Sequence, residues 1–341
     1  MSVKSVEFLK VSHLEMESLF CRILIQRGFS TDKAKTCATI FTSNSLDGVY
    51  THGVNRFPRF VNYVIAGHID PLKEAVCRRT VGSIEQWDGQ MGPGPVNALR
   101  CTDRAMEIAE AHGIGCVALG NTNHWMRGGT YGWRAAQKGF VFIGWTNTTA
   151  NMPTWGAVNS KLGNNPLVIS APYQDEAIVL DMAMSQYSYG ALEFYKLKNQ
   201  QLSVPGGFTT EGSLTTDPEE ILKSQRILPV GYWKGAGLSL LLDILATILS
   251  GGLSVSGISQ QKAECNVSQV FITIDIKRLD NFRSIASAIQ QIIDDYHQSI
   301  PEKTSRVVFP GERVLSIRAE NTKQGIPVLS AVWEEILSLQ I

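Results

Sequence analysis

The 341-residue sequence has no cysteines at metal-ligand or redox spacing. Cys21, Cys37, Cys77, Cys101, Cys116 and Cys265 are scattered, and no C-x-x-C occurs. They read as small buried hydrophobes of a reducing compartment rather than as disulfide partners. Neither sign of charge is in surplus: 31 Lys and Arg balance 31 Asp and Glu, which removes the electrostatic case for nucleic acid or an anionic membrane as partner. There is no H-E-x-x-H and no close His/Asp cluster, so no metal site is expected. The most apolar stretch, GLSLLLDILATILSGG (237–252), is short for a bilayer and carries Asp243, so it is expected to be a core helix. The opening stretch, MSVKSVEFLKVSHLEME, meets charges too early for a signal peptide, which predicts a cytoplasmic protein. The glycine-rich phosphate fingerprints are also missing. G-x-G-x-x-G is incomplete in HGIGCVALG, GPGPVN and KGAGLS, and there is no P-loop. A dinucleotide, if one binds, is not held by a Rossmann turn.

The residues that are present suggest two lobes, since a chain of this length buries more than one core. Residues 10–70 read as three helices. LEMESLFCRILIQRG has apolar residues at three- and four-residue spacing and stops at Gly28. STDKAKTCATIFTSNSLDG starts on an N-capping cluster and ends at Gly48. NRFPRFVNYVIAG offers Asn55 as cap, Pro58 in the first turn and Gly67 as stop. From about residue 74, short β-type runs (AVCRRTV, SIEQWDG, GIGCVALG, FVFIGWTN, LVISAP, AIVLDMA, SQVFITIDI) alternate with helices such as VNALRCTDRAMEIAEAHG and NFRSIASAIQQIIDDYH. Such alternation by itself suggests a doubly wound parallel sheet. The C-terminal LSAVWEEILSLQI is helical again and is expected to fold back on the first helices. VPGGFTTEGSLTTDPEE (204–220), dense in Gly, Pro and Thr, reads as the least ordered piece.

Four segments carry chemistry. In GVYTHGVNRFPRF (48–60), His52 sits in a glycine-bounded loop, with Arg56 and Arg59 three residues apart on one side of a helix start. Arginine forks suit carboxylates, and histidine can protonate a nascent alkoxide near neutral pH. A helix cap with two solvated arginines accounts for the same residues. In GNTNHWMRGGTYG (120–132), His124 stands at the mouth of a strand beside a glycine-loosened turn, with Arg127 close by. A histidine satisfied by backbone is the alternative. PVGYWKGAGLSLLLDIL (229–245) puts Lys234 at a helix start among glycines, which is a phosphate site in physical terms or simply an exposed lysine. AIVLDMA (177–183) brings Asp181 to a strand end, where it can accept from ribose hydroxyls or cap the next segment.

Taken in order over nearly the whole chain, THGVNRFPRF, NTNHWMRGG, GNNPL, VLDMA, WKGAGLS and FPGER resemble the type-2 malate and L-lactate dehydrogenases, a family that includes ureidoglycolate and sulfolactate dehydrogenases. The resemblance implies a mixed α/β fold unrelated to Rossmann, working as a homodimer. It implies a helical lobe over 1–72 completed by about 300–341, and a dinucleotide-binding mixed α/β domain over 73–299. NADH is the implied cofactor, with NADPH left open. The implied cofactor-binding residues are Thr148, the run Ala177, Ile178, Val179, Leu180, Asp181, Met182 and Ala183, then Trp233 and Lys234, and the turn Gly311, Glu312 and Arg313. That turn departs from the family, since GER stands where near relatives have Gly-His-Glu. His52 matches the proton donor of one branch and His124 that of others. Arg56, with Arg59 and Arg127, is expected to hold the carboxylate of a small sugar-acid substrate. Malate, lactate, ureidoglycolate and sulfolactate are the alternatives within the family.

Overall fold

The computed structural model describes residues 7–302 and 306–341. Its centre is a seven-stranded sheet. The strands run across it in the order Val76–Val81, Ile84–Asp88, Ile114–Thr122, Val267–Asp275, Phe140–Thr146, Leu167–Tyr173, Glu176–Met182. Only Ile84–Asp88 and Ile114–Thr122 are parallel; every other neighbouring pair is antiparallel. The sheet is therefore mixed, as the resemblance implied, and not the parallel sheet that alternation of elements alone suggested.

Side-chain alternation along the central strands feeds two cores. Val117, Leu119 and Phe271 pack with Ala98, Cys101 and Ala105 of helix Gly94–His112 and with Tyr131 and Ala135 of helix Gly129–Gln137. Cys116, Ala118 and Val270 point the other way, onto Leu242 and Ala246 of helix Trp233–Ser250. A third core joins the ends of the chain. Helices His13–Gln26, Thr31–Leu46 and Phe57–Ile65 pack around Phe20, Phe41 and Phe57, with the Phe20 and Phe57 rings stacked at 3.8 Å. Strand Phe8–Val11 pairs antiparallel with Ile326–Leu329, and Trp333 and Ile336 of helix Ser330–Ser338 close the same core. The C-terminal helix thus folds back on the first helices.

Four local expectations need correction. Asn55 caps nothing: residues Val54–Arg56 form a 3₁₀ turn, and the helix begins at Phe57 with no side-chain cap. Segment 204–220 is ordered, because its Gly and Thr residues build the hairpin Gly207–Phe208/Leu214–Thr215 and Asp217 caps the helix Pro218–Ser224. Cys77 is exposed, since its strand lies at the sheet edge. The apolar stretch near residue 240 is not a core helix. Helix Trp233–Ser250 has 18 residues, long and apolar enough by length and composition to cross a membrane, and much of its apolar surface is open. Leu241 is 55% exposed and Ile248 65%, while the stripe Gly235, Ala236, Ser239, Leu242 and Ala246 is buried. Asp243 is used inside the protein, accepting from the Asn147 side chain and the Val255 amide at 2.9 Å each.

Candidate active site

A cleft of about 940 Å³ is lined by the 3₁₀ turns before helix Phe57–Ile65, the loop 124–128, Thr148, Asn164, the end of strand Glu176–Met182, helix Tyr189–Leu197 and Glu264. This volume lies at the upper end for small-molecule sites. His52, Arg56, Arg59, His124 and Arg127, five residues spread over 76 positions of sequence (52 to 127), all line it.

The His124 loop is held from several sides. Asn123 sends its side-chain amide to the carbonyls of His68, Met91 and Gly92, and its own carbonyl accepts from Gln269. Helix Gly94–His112 starts against this loop: a Cβ at Gly94 would lie 2.2 Å from the His124 carbonyl oxygen, so only glycine fits there. Met126 turns back with φ +69°, a left-handed conformation, and its amide donates to His124 Nδ1 at 2.9 Å. Nδ1 is therefore an acceptor, and the ring proton of neutral His124 sits on Nε2.

His52 ends the turn Tyr50–His52. Its carbonyl accepts from Asn44 at 2.9 Å, and the next turn is pinned by the Val54 amide donating to Ser45 Oγ at 2.8 Å. His52 Nδ1 lies 3.1 Å from Thr51 Oγ1, a hydroxyl able to pair with either protonation state of the ring. The two imidazoles stack with centroids 5.7 Å apart. Burial, then Arg56 and Arg127, push the His52 pKa down to about 4. Burial, then Arg56, His52 and Arg59, hold that of His124 well below the ordinary value.

The three arginines differ in their partners. Arg127 is buried and paired with the equally buried Asp47, which also accepts two hydrogen bonds from Arg318. Arg56 donates to Glu264 at 3.2 Å, and burial lowers its pKa against the opposing pull of that carboxylate. Arg59 is exposed, donates to Tyr63 Oη at 3.1 Å and has no carboxylate partner among the described residues. Neither Asp47 nor Glu264 was singled out from sequence. Asp47 looked like part of a helix stop, and Glu264 sits 208 positions from Arg56 in a segment without a motif.

The residues expected to hold a dinucleotide gather along strand Glu176–Met182, the outer strand of the sheet. Asp181, Ala183 and Thr148 line the cleft directly. Asp181 accepts from the Gly129 amide at the start of helix Gly129–Gln137, and burial raises its carboxyl pKa against Arg127 and that amide. Ala177 and Val179 are buried under the sheet's helices, while Ile178, Leu180 and Met182 take the other face and are half-buried. The Val179 amide donates to Pro310, which docks the Gly311–Arg313 turn on the strand. Glu312 is taken up locally by His297, Arg306 and the Phe309 amide, which outweigh burial and lower its pKa; Arg313 points into no pair among the described residues. The Val230 amide donates to Met184, bringing Trp233 and Lys234 to the strand's end. Lys234 is exposed, and its ammonium group has no hydrogen bond or ion pair among the described residues. Just before it, Tyr232 takes φ +62°. No three His, Cys, Asp or Glu side chains among the described residues converge as a metal needs.

A model of the malate/L-lactate dehydrogenase family matches residues 11–337. The chain is 46% identical over 335 residues to the 2,3-diketo-L-gulonate reductase of Pasteurella multocida strain Pm70, covering 97% of this chain and 100% of the relative. It is 44% identical over 334 residues to the 2,3-diketo-L-gulonate reductase of Escherichia coli strain K12, with the same coverage. Among solved structures, malate dehydrogenase from Pyrococcus horikoshii OT3 is 29% identical with a TM-score of 0.88, over 99% of this chain and 96% of that one.

Proposed function

The chain belongs to the malate/L-lactate dehydrogenase family, whose members are nicotinamide-dependent oxidoreductases, and we propose that it reduces the C2 ketone of 2,3-diketo-L-gulonate to give 3-keto-L-gulonate with NADH. The observation that carries this reading is the facing pair His52 and His124 beside Arg56 and Arg59 in one cleft. The full-length likeness to the reductases of that name supports the choice of substrate.

The residues fit a dinucleotide. An unpartnered lysine stands at the start of an 18-residue helix, beside the strand whose Asp181 and Ala183 reach the cleft with Thr148. Lys234 with the Trp233 amide, the strand Ala177 to Ala183 and the Gly311–Arg313 turn would hold it. When bound, NADH supplies the hydride. The chain's own groups do the rest.

Arg59, free of any carboxylate among the described residues, and the outward N–H groups of Arg56 take the substrate carboxylate and turn C2 towards the cleft interior. Arg127 is a strut: its charge is already engaged by Asp47. His124 cannot gain a second proton without giving up the Met126 amide, so it stays neutral and donates from Nε2 to a substrate oxygen. His52 has no such lock. The arriving carboxylate offsets Arg56, the charge that helps hold His52 at low pKa, and so lets the ring take up a proton. His52 then protonates the C2 alkoxide as it forms. The two-lobed division (1–72 with 300–341, and 73–299), a cytoplasmic location and a homodimer belong to the same reading. The open apolar face of helix Trp233–Ser250 is what a second copy of the chain would cover.

The test monitors NADH oxidation at 340 nm with His52→Gln and His124→Gln. Losing the donor costs roughly 10²–10⁴ in kcat. His52→Gln should suffer that loss and lose the alkaline limb of the pH profile, the fall in rate as the donor deprotonates, while His124→Gln should be slowed with that limb kept. The reverse pattern would transfer the donor role to His124. Two near-wild-type variants would end the mechanism.

A further inference from the structure

Resting on that functional reading, we propose that Glu264 sets the substrate class: its free oxygen accepts from a hydroxyl on the substrate's tail and turns away acids with a second carboxylate. The mechanism does not use this residue, and a carboxylate lining a cleft built to attract an anion is an expensive feature unless it has a role. Its side chain is only 13% exposed. One oxygen, Oε2, takes the Arg56 guanidinium at 3.2 Å. The other, Oε1, has no hydrogen-bond partner among the described residues, and Glu264 lines the cleft.

A carboxylate can only accept hydrogen bonds. Held beside Arg56, it presents a fixed, negatively charged acceptor to the cleft that it lines. A polyol tail brings hydroxyl donors to that point. A four-carbon dicarboxylate brings a second anion, and two like charges in a partly enclosed site repel strongly. A keto acid with an apolar tail leaves the acceptor without a partner, which also costs binding. Pairing with Arg56 keeps Glu264 from neutralising the site as a whole, because Arg59 is left to attract the single carboxylate of a sugar acid.

The experiment compares kcat/KM for 2,3-diketo-L-gulonate and oxaloacetate in the wild-type protein and in Glu264→Gln, with circular dichroism to establish folding. Expected is a fall of about tenfold on the diketo acid and a rise of about tenfold on oxaloacetate, as acceptor strength and repulsion are both lost. Parallel loss on both substrates, or no change on either, overturns the proposal, since a merely structural role moves both the same way. Glu264→Asp, which keeps the charge, should keep rejecting oxaloacetate; if it accepts oxaloacetate, the charge argument fails even where the Gln variant does not fold. Calorimetric titration with D-gluconate and with succinate separates this idea from the substrate assignment. Should the wild-type protein leave 2,3-diketo-L-gulonate unreduced, the function reading falls, yet tighter binding of gluconate than succinate, lost in Glu264→Gln, still upholds the role of Glu264. Equal binding of the two acids by the wild-type protein would overturn it.

Discussion

Adding one methyl group at Gly94 tests whether the position of His124 matters as argued. An alanine Cβ there would lie 2.2 Å from the His124 carbonyl oxygen, 2.4 Å from that of Asn123 and 2.6 Å from the His124 carbonyl carbon. Those atoms are backbone and cannot rotate away. Reaching ordinary contact means moving the loop or the start of helix Gly94–His112 by about 1 Å, and misplacement on that scale costs on the order of 100-fold in rate. Overpacking of this kind also costs about 1–3 kcal/mol of stability, so the protein should still fold. The assay is kcat and KM for NADH-dependent reduction of 2,3-diketo-L-gulonate, with thermal unfolding alongside. Gly257→Ala, whose Cβ would meet only the Leu253 side chain at 3.4 Å, is the control and should change neither. Gly94→Ala with kcat within twofold of wild type, in a protein that folds normally, would refute the claim that this loop must hold the His124 ring in place.

Three other consequences can be measured. Asp47→Ala strands the buried Arg127 charge and should cost about 3–5 kcal/mol, read as a lowered denaturant midpoint; an unchanged midpoint would mean the pair is not a strut. His52 titrates near pH 4 in the folded protein and near 6.5 when unfolded, so the unfolded chain binds the extra proton between those values. Its contribution is complete above about pH 6.5 and lost as pH falls towards 4. The loss is at most about 3 kcal/mol, and less for a ring that is only partly enclosed. His52→Gln should flatten the fall in Tm over that window, and an unflattened curve would place the shift elsewhere. Leu241→Glu puts a charge on the open apolar face and should yield monomers in sedimentation velocity, where the proposed homodimer requires the wild-type protein to sediment as a dimer; a monomeric wild type would remove the proposed covering of that face.

The elements with strong periodicity were legible from the residues. Helix His13–Gln26 and strand Ile114–Thr122 lie where spacing and alternation put them. The mixed sheet was legible only through the resemblance, because alternation of strands and helices says nothing about strand direction. Helix Trp233–Ser250 departs from expectation for a physical reason: an apolar helix with one face open and one wholly inside a core can have the same composition, and only the surrounding elements separate them. His52 and His124 stood out because each sits in a glycine-loosened loop. Their division of labour did not, since it turns on one backbone amide, that of Met126 in a left-handed turn, and no residue pattern announces that geometry. The partners of the arginines were equally hidden. Asp47 and Glu264 meet their arginines only when distant segments come together, and the free state of Arg59 is visible only once those pairs are known.

The most direct test of the account is the initial rate of NADH oxidation by the purified wild-type protein with freshly prepared 2,3-diketo-L-gulonate, against oxaloacetate and pyruvate, and with NADPH in parallel. The account predicts kcat/KM for the diketo acid at least roughly 100-fold above both small acids, and faster with NADH than with NADPH, on the scale by which a site built for polar groups rejects substrates lacking them. Oxaloacetate or pyruvate reduced as fast as the diketo acid would contradict it.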